Sequence, residues 1–333
     1  MSVISKNSIL IEPFLLKPAA KNYLWGGDRL RFGYGKDFLD CEPLAETWEC
    51  STHPDGQSIV SSGQFEGQCL SDVIKRFPGI VGTRPRCPQV GQLPILVKLI
   101  DAKADLSVQV HPDDKYAWEC ENHSLGKTEM WYVLEAEEGS TMVCGLNQNL
   151  SQLQLLKHSL DGSLTPFLNK VSIKKGDCFY IKAGIVHAIG KGALVAEVQE
   201  NSNLTYRLYD YNRVDKSGNK RPLHIDKALD VVKLRAESNS CRVTKVIEYS
   251  RGLVKRRLSK CAHFKAEVWK FIDHVVIKNN CESFTLVIVL AGIGSLQTES
   301  ICLTLQKGVT AFIPANTKNL KILGKMEILV ISC

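Results

Sequence analysis

The sequence predicts a mainly β chain, folded as sandwiches or barrels with a few short helices. Three observations carry this. Short strand-like runs are punctuated by glycine, proline and polar turns, which argues against alternating β and α units. Helical periodicity is confined to a few short windows. A spacing also recurs: Gly176, Lys182, Ala183, Gly184 and His187 are matched by Gly308, Pro314, Ala315, Asn316 and Asn319, each 132 residues later. The C-terminal third therefore repeats an earlier unit.

Taken in order, residues 70–77 place Leu70, Val73, Ile74 and Phe77 on one helical face. Residues 105–111 alternate as a half-buried strand, with Ser107, Gln109 and His111 on one face and Leu106, Val108 and Val110 on the other. Glu129 opens a second strand, Met130 to Leu134. A helix over 151–160 carries Leu153, Leu155, Leu156 and Leu160. Gly176 to His187 supplies a glycine-bounded strand and turn ending on a histidine. A helix over 224–234, with Ile225, Leu229, Val232 and Leu234, closes a first domain and leads into a linker near 236–240. The expected division is 1–235 as the catalytic domain and 241–333 as a degenerate copy. In that copy Ser283 to Leu290 resembles the Met130 strand, and Asn319 stands where His187 stands, so no metal is expected there.

A chain of 333 residues suits two or three domains, and 44% hydrophobic with 23% charged residues is ordinary for a soluble protein. The net charge of +7 is dispersed apart from Lys255-Arg256-Arg257. A nucleic-acid partner is therefore not expected, while an anionic small molecule is compatible. The 12 cysteines show no CxxC pair or regular spacing, which points to buried thiols in a reducing cytosol. No secretory signal or membrane-length apolar run is present, so a cytoplasmic protein is expected.

Gln109, His111, Glu129 and His187 combine two imidazoles, a carboxylate and a side-chain amide. That donor set suits a borderline divalent metal such as zinc. Their spacing resembles the cupin signature, with Gln109 in place of the first histidine of the usual His-x-His. Within Leu106-Ser107-Val108-Gln109-Val110-His111-Pro112 this substitution resembles the type I mannose-6-phosphate isomerases. The run 94–100, Gly126-Lys127-Thr128-Glu129, and Gln199-Glu200-Asn201-Ser202-Asn203 leading into Arg207 agree. Residues 206–211 resemble the short bacterial branch.

The resemblance implies two cupin-type jelly-roll β-barrels and one Zn2+ per chain, held by Gln109, His111, Glu129 and His187. It also implies a sugar-phosphate substrate, no nucleic-acid or membrane partner, and a monomer. Arg207 and Lys127 take catalytic roles by resemblance; Lys98, Ser107, Glu46 and Trp25 match substrate-binding positions. The neighbourhood of His53 resembles a segment lining the family's site. The remaining histidines, His123, His158, His224, His263 and His274, read as surface or satisfied side chains.

Interconversion of mannose 6-phosphate and fructose 6-phosphate moves a proton between C1 and C2 through an enediolate. A divalent metal polarises the carbonyl oxygen, and a neutral Gln109 ligand leaves it more electrophilic. The base is open between Lys127, a metal-bound water or hydroxide, and Asp210. Some family members have a histidine before the motif lysine, where this chain has Gly126. Longer members carry a further lysine after the arginine, for which Arg213, Lys216 and Lys220 are the alternatives here. Two other functions compete. A cupin dioxygenase would normally keep three histidines, and a non-catalytic sugar-binding cupin has no need of Lys127 and Arg207.

Overall fold

The computed structural model describes residues 11–86, 89–215, 217–236, 241–244 and 246–333. Lys216 and most of the expected linker, 237–240, lie outside the described residues. The chain is mainly β and forms two cupin-type barrels, with all strand pairs antiparallel.

The first barrel sets two sheets face to face. One runs in the order Cys178–Ile181, Glu129–Ala136, Ala193–Glu200, Ile95–Asp101, Glu46–Cys50, Ala19–Lys21. The other runs Leu168–Ser172, Thr141–Leu146, His187–Ile189, Val108–Val110, Tyr206–Tyr209. Alternation sorts the side chains of the first sheet. Trp131, Val133, Ile100, Val195 and Phe179 turn into the barrel and meet Met142, Cys144 and Ile189 of the facing sheet. Their neighbours Met130, Tyr132, Val97, Leu99 and Val198 turn outward onto Phe284, Leu286 and Ile288 of the C-terminal half. Ile95–Asp101 and Ala193–Glu200 are thus buried on both faces.

The three expected helices form as Leu70–Arg76, Gln152–Asp161 and Ile225–Val231, with two further short helices, Arg29–Tyr34 and Asp114–Cys120. The second begins with a capping box between Ser151 and Gln154. Its apolar face is narrower than the leucine pattern suggests: Leu155 is buried, but Leu153 and Leu160 are exposed. The helix lies on the barrel surface along the Leu155–Ser159 line, one turn apart, and the other leucines fall off that line. Regular pairing of the expected 105–111 strand is confined to Val108–Val110; Pro112, with no N–H to donate, ends it. No disulfide occurs among the described residues. Cys50, Cys144 and Cys178 are buried, whereas Cys120, Cys281 and Cys302 are exposed, so burial of the thiols is only partial.

The internal repeat appears in the sheet register. Cys178–Ile181 pairs with the Glu129 strand so that Ile181 faces Glu129. Thr310–Ile313, 132 residues later, pairs with Thr285–Gln297 so that Ile313 faces Thr285. Thr285 therefore occupies the place of Glu129, and Val287, Val289, Ala311, Ile313 and Ile322 fill the second barrel with an apolar core. Asn319, at the place of His187, is exposed, and its amide donates to Glu299 Oε1 at 3.0 Å.

The C-terminal sheet also recruits the other end of the chain. Phe14–Lys17 pairs with Thr310–Ile313, Phe14 opposite Phe312, and then with Ile59–Val60. Phe14, Phe312 and Phe284 stack with centroids 5.2 and 5.1 Å apart. A buried polar network crosses the same seam. Lys36 Nζ lies 2.7 Å from Glu49 Oε2 and donates to Gly308 O at 2.5 Å, while Thr310 and Thr47 hydroxyls donate to Glu49 at 2.5 and 2.7 Å. Glu49 is completely buried and Lys36 is 6% exposed. Glu49→Gln keeps the shape but strands the lysine charge, so chemical denaturation should show a loss of about 3–5 kcal/mol; an unchanged unfolding midpoint would refute the network's role.

Candidate metal and substrate site

Two cross-strand rows build the site. In the five-stranded sheet, His187 pairs with Gln109 and Gln109 with Arg207, three neighbours on adjacent strands. In the six-stranded sheet, Trp48, Lys98, Glu197 and Trp131 are neighbours in turn. Cross-strand partners project from the same face, and Glu129 and Glu46 join that face two residues from Trp131 and Trp48. The valines flanking Gln109 are buried on the opposite side, against Leu155, Tyr206 and Leu208. The expected alternation therefore directs Gln109 inward. Gly126 makes room for the lysine–glutamate segment: a Cβ there would come within 2.5 Å of backbone atoms of Asp113 and Asp114. A histidine at this position does not fit.

The metal-type donors converge. His111 Nε2 and His187 Nε2 are 3.0 Å apart, and they lie 3.5 and 3.3 Å from oxygens of Glu129. Donors bonded at about 2.0–2.1 Å in a tetrahedral site stand about 3.3 Å from each other. All three residues are at most 1% exposed, and the Glu129 oxygens meet only the two imidazoles and Lys127 Nζ. A buried carboxylate asks for a cation. Lys127 Nζ supplies part of that charge, 2.9 Å from Glu129 Oε2 and 3.2 Å from His111 Nε2. His187 Nδ1 donates to Ile185 O at 2.8 Å, which leaves Nε2 as the free lone pair. Gln109 Nε2 is 3.3 Å from His187 Nε2, and a half-turn of the amide exchanges it for the oxygen. Burial and the nearby Lys127 charge push the His111 pKa down to about 3, and burial lowers that of His187, so both rings are neutral. Burial alone would raise the Glu129 pKa, but Lys127 and the two imidazoles hold it well below the ordinary value. The residues fit a divalent metal.

Beside them is a cavity of about 330 Å3. Lys98 Nζ sits 3.5 Å from Glu46 and 3.4 Å from Glu197, all three buried. Burial opposes the ammonium, yet Glu46 and Glu197 together hold its pKa above that of a free lysine. Trp48 and Trp131 indole N–H groups donate to Glu46 and Glu197 at 2.7 and 2.8 Å. Glu197 Oε1 has no hydrogen-bond partner, and burial, then Glu129, raises the Glu197 pKa.

At the outer end, Arg207 Nη1 donates to Pro222 O at 2.7 Å, and Arg207 and His224 exchange two further bonds of 3.2 and 2.9 Å. Asp210 is buried between Arg213 and Arg221. Despite its burial, hydrogen bonds from those arginines lower its pKa, and it does not line the cavity.

Trp25, Glu46, Lys98, Ser107, Gln109, Lys127 and Arg207 all line the cavity, with His111, Glu129 and His187 behind them. His53 lines a neighbouring cavity instead. Of the proposed substitutes for a further lysine, Arg213 and Lys220 do not line the cavity and Lys216 lies outside the described residues; Arg221 lines it. Glu197, Trp131, Arg221 and His224 also line the cavity and are not among the residues expected from the sequence. Glu197 had a signal, a charge inside the apolar run 193–198; Arg221 had none.

Comparison with known proteins fits this site. Residues 14–144 match the family model of the phosphomannose isomerase type I catalytic domain, and residues 255–333 match the mannose-6-phosphate isomerase cupin domain. Mannose-6-phosphate isomerase ManA of Bacillus subtilis is 34% identical over 320 residues, covering 96% of this chain and 98% of its own.

This chain belongs to the type I phosphomannose isomerase family.

Mannose-6-phosphate isomerase of Streptococcus mutans is likewise 34% identical, with the same coverage. The crystal structure of the Bacillus subtilis mannose 6-phosphate isomerase superposes with a TM-score of 0.87 at 32% identity, covering 96% of this chain and 99% of that one. A mannose 6-phosphate isomerase solved with zinc and yttrium bound shares the fold, with a TM-score of 0.76 at 17% identity over 96% of this chain and 99% of that one. Type I phosphomannose isomerases are metal-dependent aldose–ketose isomerases, and membership replaces both the dioxygenase and the binding-only alternatives. Among the described residues no helix is long and apolar enough to cross a membrane.

Elemental analysis of the purified protein should find about one tightly held divalent ion per chain, lost in a His111→Ala, His187→Ala double variant. Stoichiometric metal in that variant would show that the ligands are elsewhere.

Proposed function

We propose that this cavity interconverts D-mannose 6-phosphate and D-fructose 6-phosphate by moving a proton between C1 and C2 of the open-chain sugar. One observation carries the assignment to these residues. Three buried metal-type donors open beside a carboxyl group, Glu197, that has a raised pKa and whose Oε1 meets only Lys98 Nζ, at 3.4 Å. Gln109, His111, Glu129 and His187 are the residues that would hold the metal, and zinc suits their donor set. When bound, it supplies a Lewis acid for the sugar's carbonyl oxygen.

The chain's own groups do the rest. Glu197 takes the proton from one carbon and returns it to the neighbouring one. A carboxyl pushed towards neutrality by burial serves both directions. Lys98, 3.4 Å away, offsets its charge while it is ionised. Lys127 keeps Glu129 ionised and fills space that water would otherwise enter. Arg207, in the same row as Gln109, presents a planar fork to the oxygens that gain charge.

A coupled assay for fructose 6-phosphate tests the activity. Arg207→Ala and Glu197→Gln should each lower turnover by roughly 100-fold or more while metal content and melting temperature stay at wild-type values. Arg207→Lys should recover little. Near wild-type turnover in Glu197→Gln would remove the proton carrier from this account, and metal loss in Arg207→Ala would make that arginine structural.

A further inference from the structure

We propose that Arg221 grips the phosphate of the substrate and that Asp210 serves to aim it. This rests on the isomerase function above and names the part of the site that selects a phosphorylated sugar.

The charge distribution of the cavity points there. Four lysines and arginines line it: Lys98, Lys127, Arg207 and Arg221. The two lysines are neutralised, Lys98 by Glu46 and Glu197 and Lys127 by Glu129. The two arginines are not. Arg207 makes no ion pair among the described residues, and its buried Nε has no hydrogen-bond partner. Arg221 shares the single carboxylate of Asp210 with Arg213. Two guanidinium groups thus share one carboxylate and a third, Arg207, has none, a surplus of positive charge at the outer end. A phosphate monoester brings a charge of about −1.5 to −2 at neutral pH and accepts from fork-shaped donors. The inner end, crowded with carboxylates, would repel it.

Arg221 is also prepared for a ligand. Its Nε and Nη2 donate to the two oxygens of Asp210 at 2.8 and 2.6 Å, so one edge of the guanidinium is fixed. Nη1 has no partner among the described residues. Asp210 is 5% exposed and is held from its other side by Arg213, which also donates to Asp105 O. The fork is therefore oriented before substrate arrives, which lowers the entropy lost on binding.

Inorganic phosphate is the probe, titrated calorimetrically into metal-loaded wild type, Arg221→Ala and Arg221→Lys, alongside steady-state kinetics with mannose 6-phosphate. Arg221→Ala should raise the phosphate Kd and the KM by about 10–100-fold, the cost of a lost charged hydrogen bond, with kcat changed by no more than about 3-fold. Arg221→Lys should fall between wild type and Arg221→Ala, because a point charge replaces the fork. Asp210→Asn should also raise KM more than it lowers kcat; a purely structural role would instead lower kcat and melting temperature together. Unchanged phosphate binding in Arg221→Ala overturns the proposal, and if that variant does not fold, unchanged KM in Arg221→Lys does so. A wild type that binds phosphate but turns over no mannose 6-phosphate would sink the isomerase function while leaving Arg221 to be judged by the titration.

Discussion

Cross-strand register is the constraint on which the site depends. His187, Gln109 and Arg207 face one another only because Val108–Val110 is locked between His187–Ile189 and Tyr206–Tyr209. A slip of one residue would turn Gln109 outward and put a valine in its place. Burial of Val108 and Val110 under Leu155, Tyr206 and Leu208 opposes that slip. The helix Gln152–Asp161, remote from the cavity, thus protects the position of a proposed metal ligand.

The same barrel has to carry charge in an apolar interior. It does so by compensating each carboxylate locally: Glu129 with Lys127, Glu46 and Glu197 with Lys98, Asp210 with two arginines. None of these is a free-standing buried ion, which would cost several kcal/mol. The compensation is incomplete at two places, Glu129 and the outer arginines, which is where the proposed metal and the substrate phosphate would sit. The second barrel has the same strand arrangement with Thr285 for Glu129 and Asn319 for His187. It closes over an apolar core, with a buried carboxylate, Glu267, met by Lys265 and the Trp269 indole.

What was legible in the sequence was local. Alternation around Gln109 assigned its face, the 132-residue offset located the second barrel's strand, and Trp25, Glu46, Lys98, Ser107, Gln109, Lys127 and Arg207 all line one cavity. What was not legible was contact over long separations. Glu197 sits in a strand whose apolar run advertises core, and only pairing with Lys98 and Trp131 makes it a site residue. Arg221 arrives from an aperiodic loop and is placed by Asp210, eleven positions back. The leucines of the 151–160 helix misled in the other direction: four apolar residues in ten resemble a buried face, but a helix lying on a barrel needs only the line through Leu155.

The strand Phe14–Lys17 has a consequence for how the molecule holds together. Phe14–Lys17 lies in the sheet of the last third; the chain then leaves to build the first barrel and returns to that sheet. The two barrels are therefore not beads on a string. A cut near residue 240 would separate two pieces that each lack something: one would keep an orphaned strand and Lys36, and the other would keep Phe312 and Thr310 with nothing to cover them. The apolar barrel, none of whose described residues lines the cavity, thereby holds Phe14–Lys17 and Lys36 of the other half, and its duplicated architecture has become a clasp.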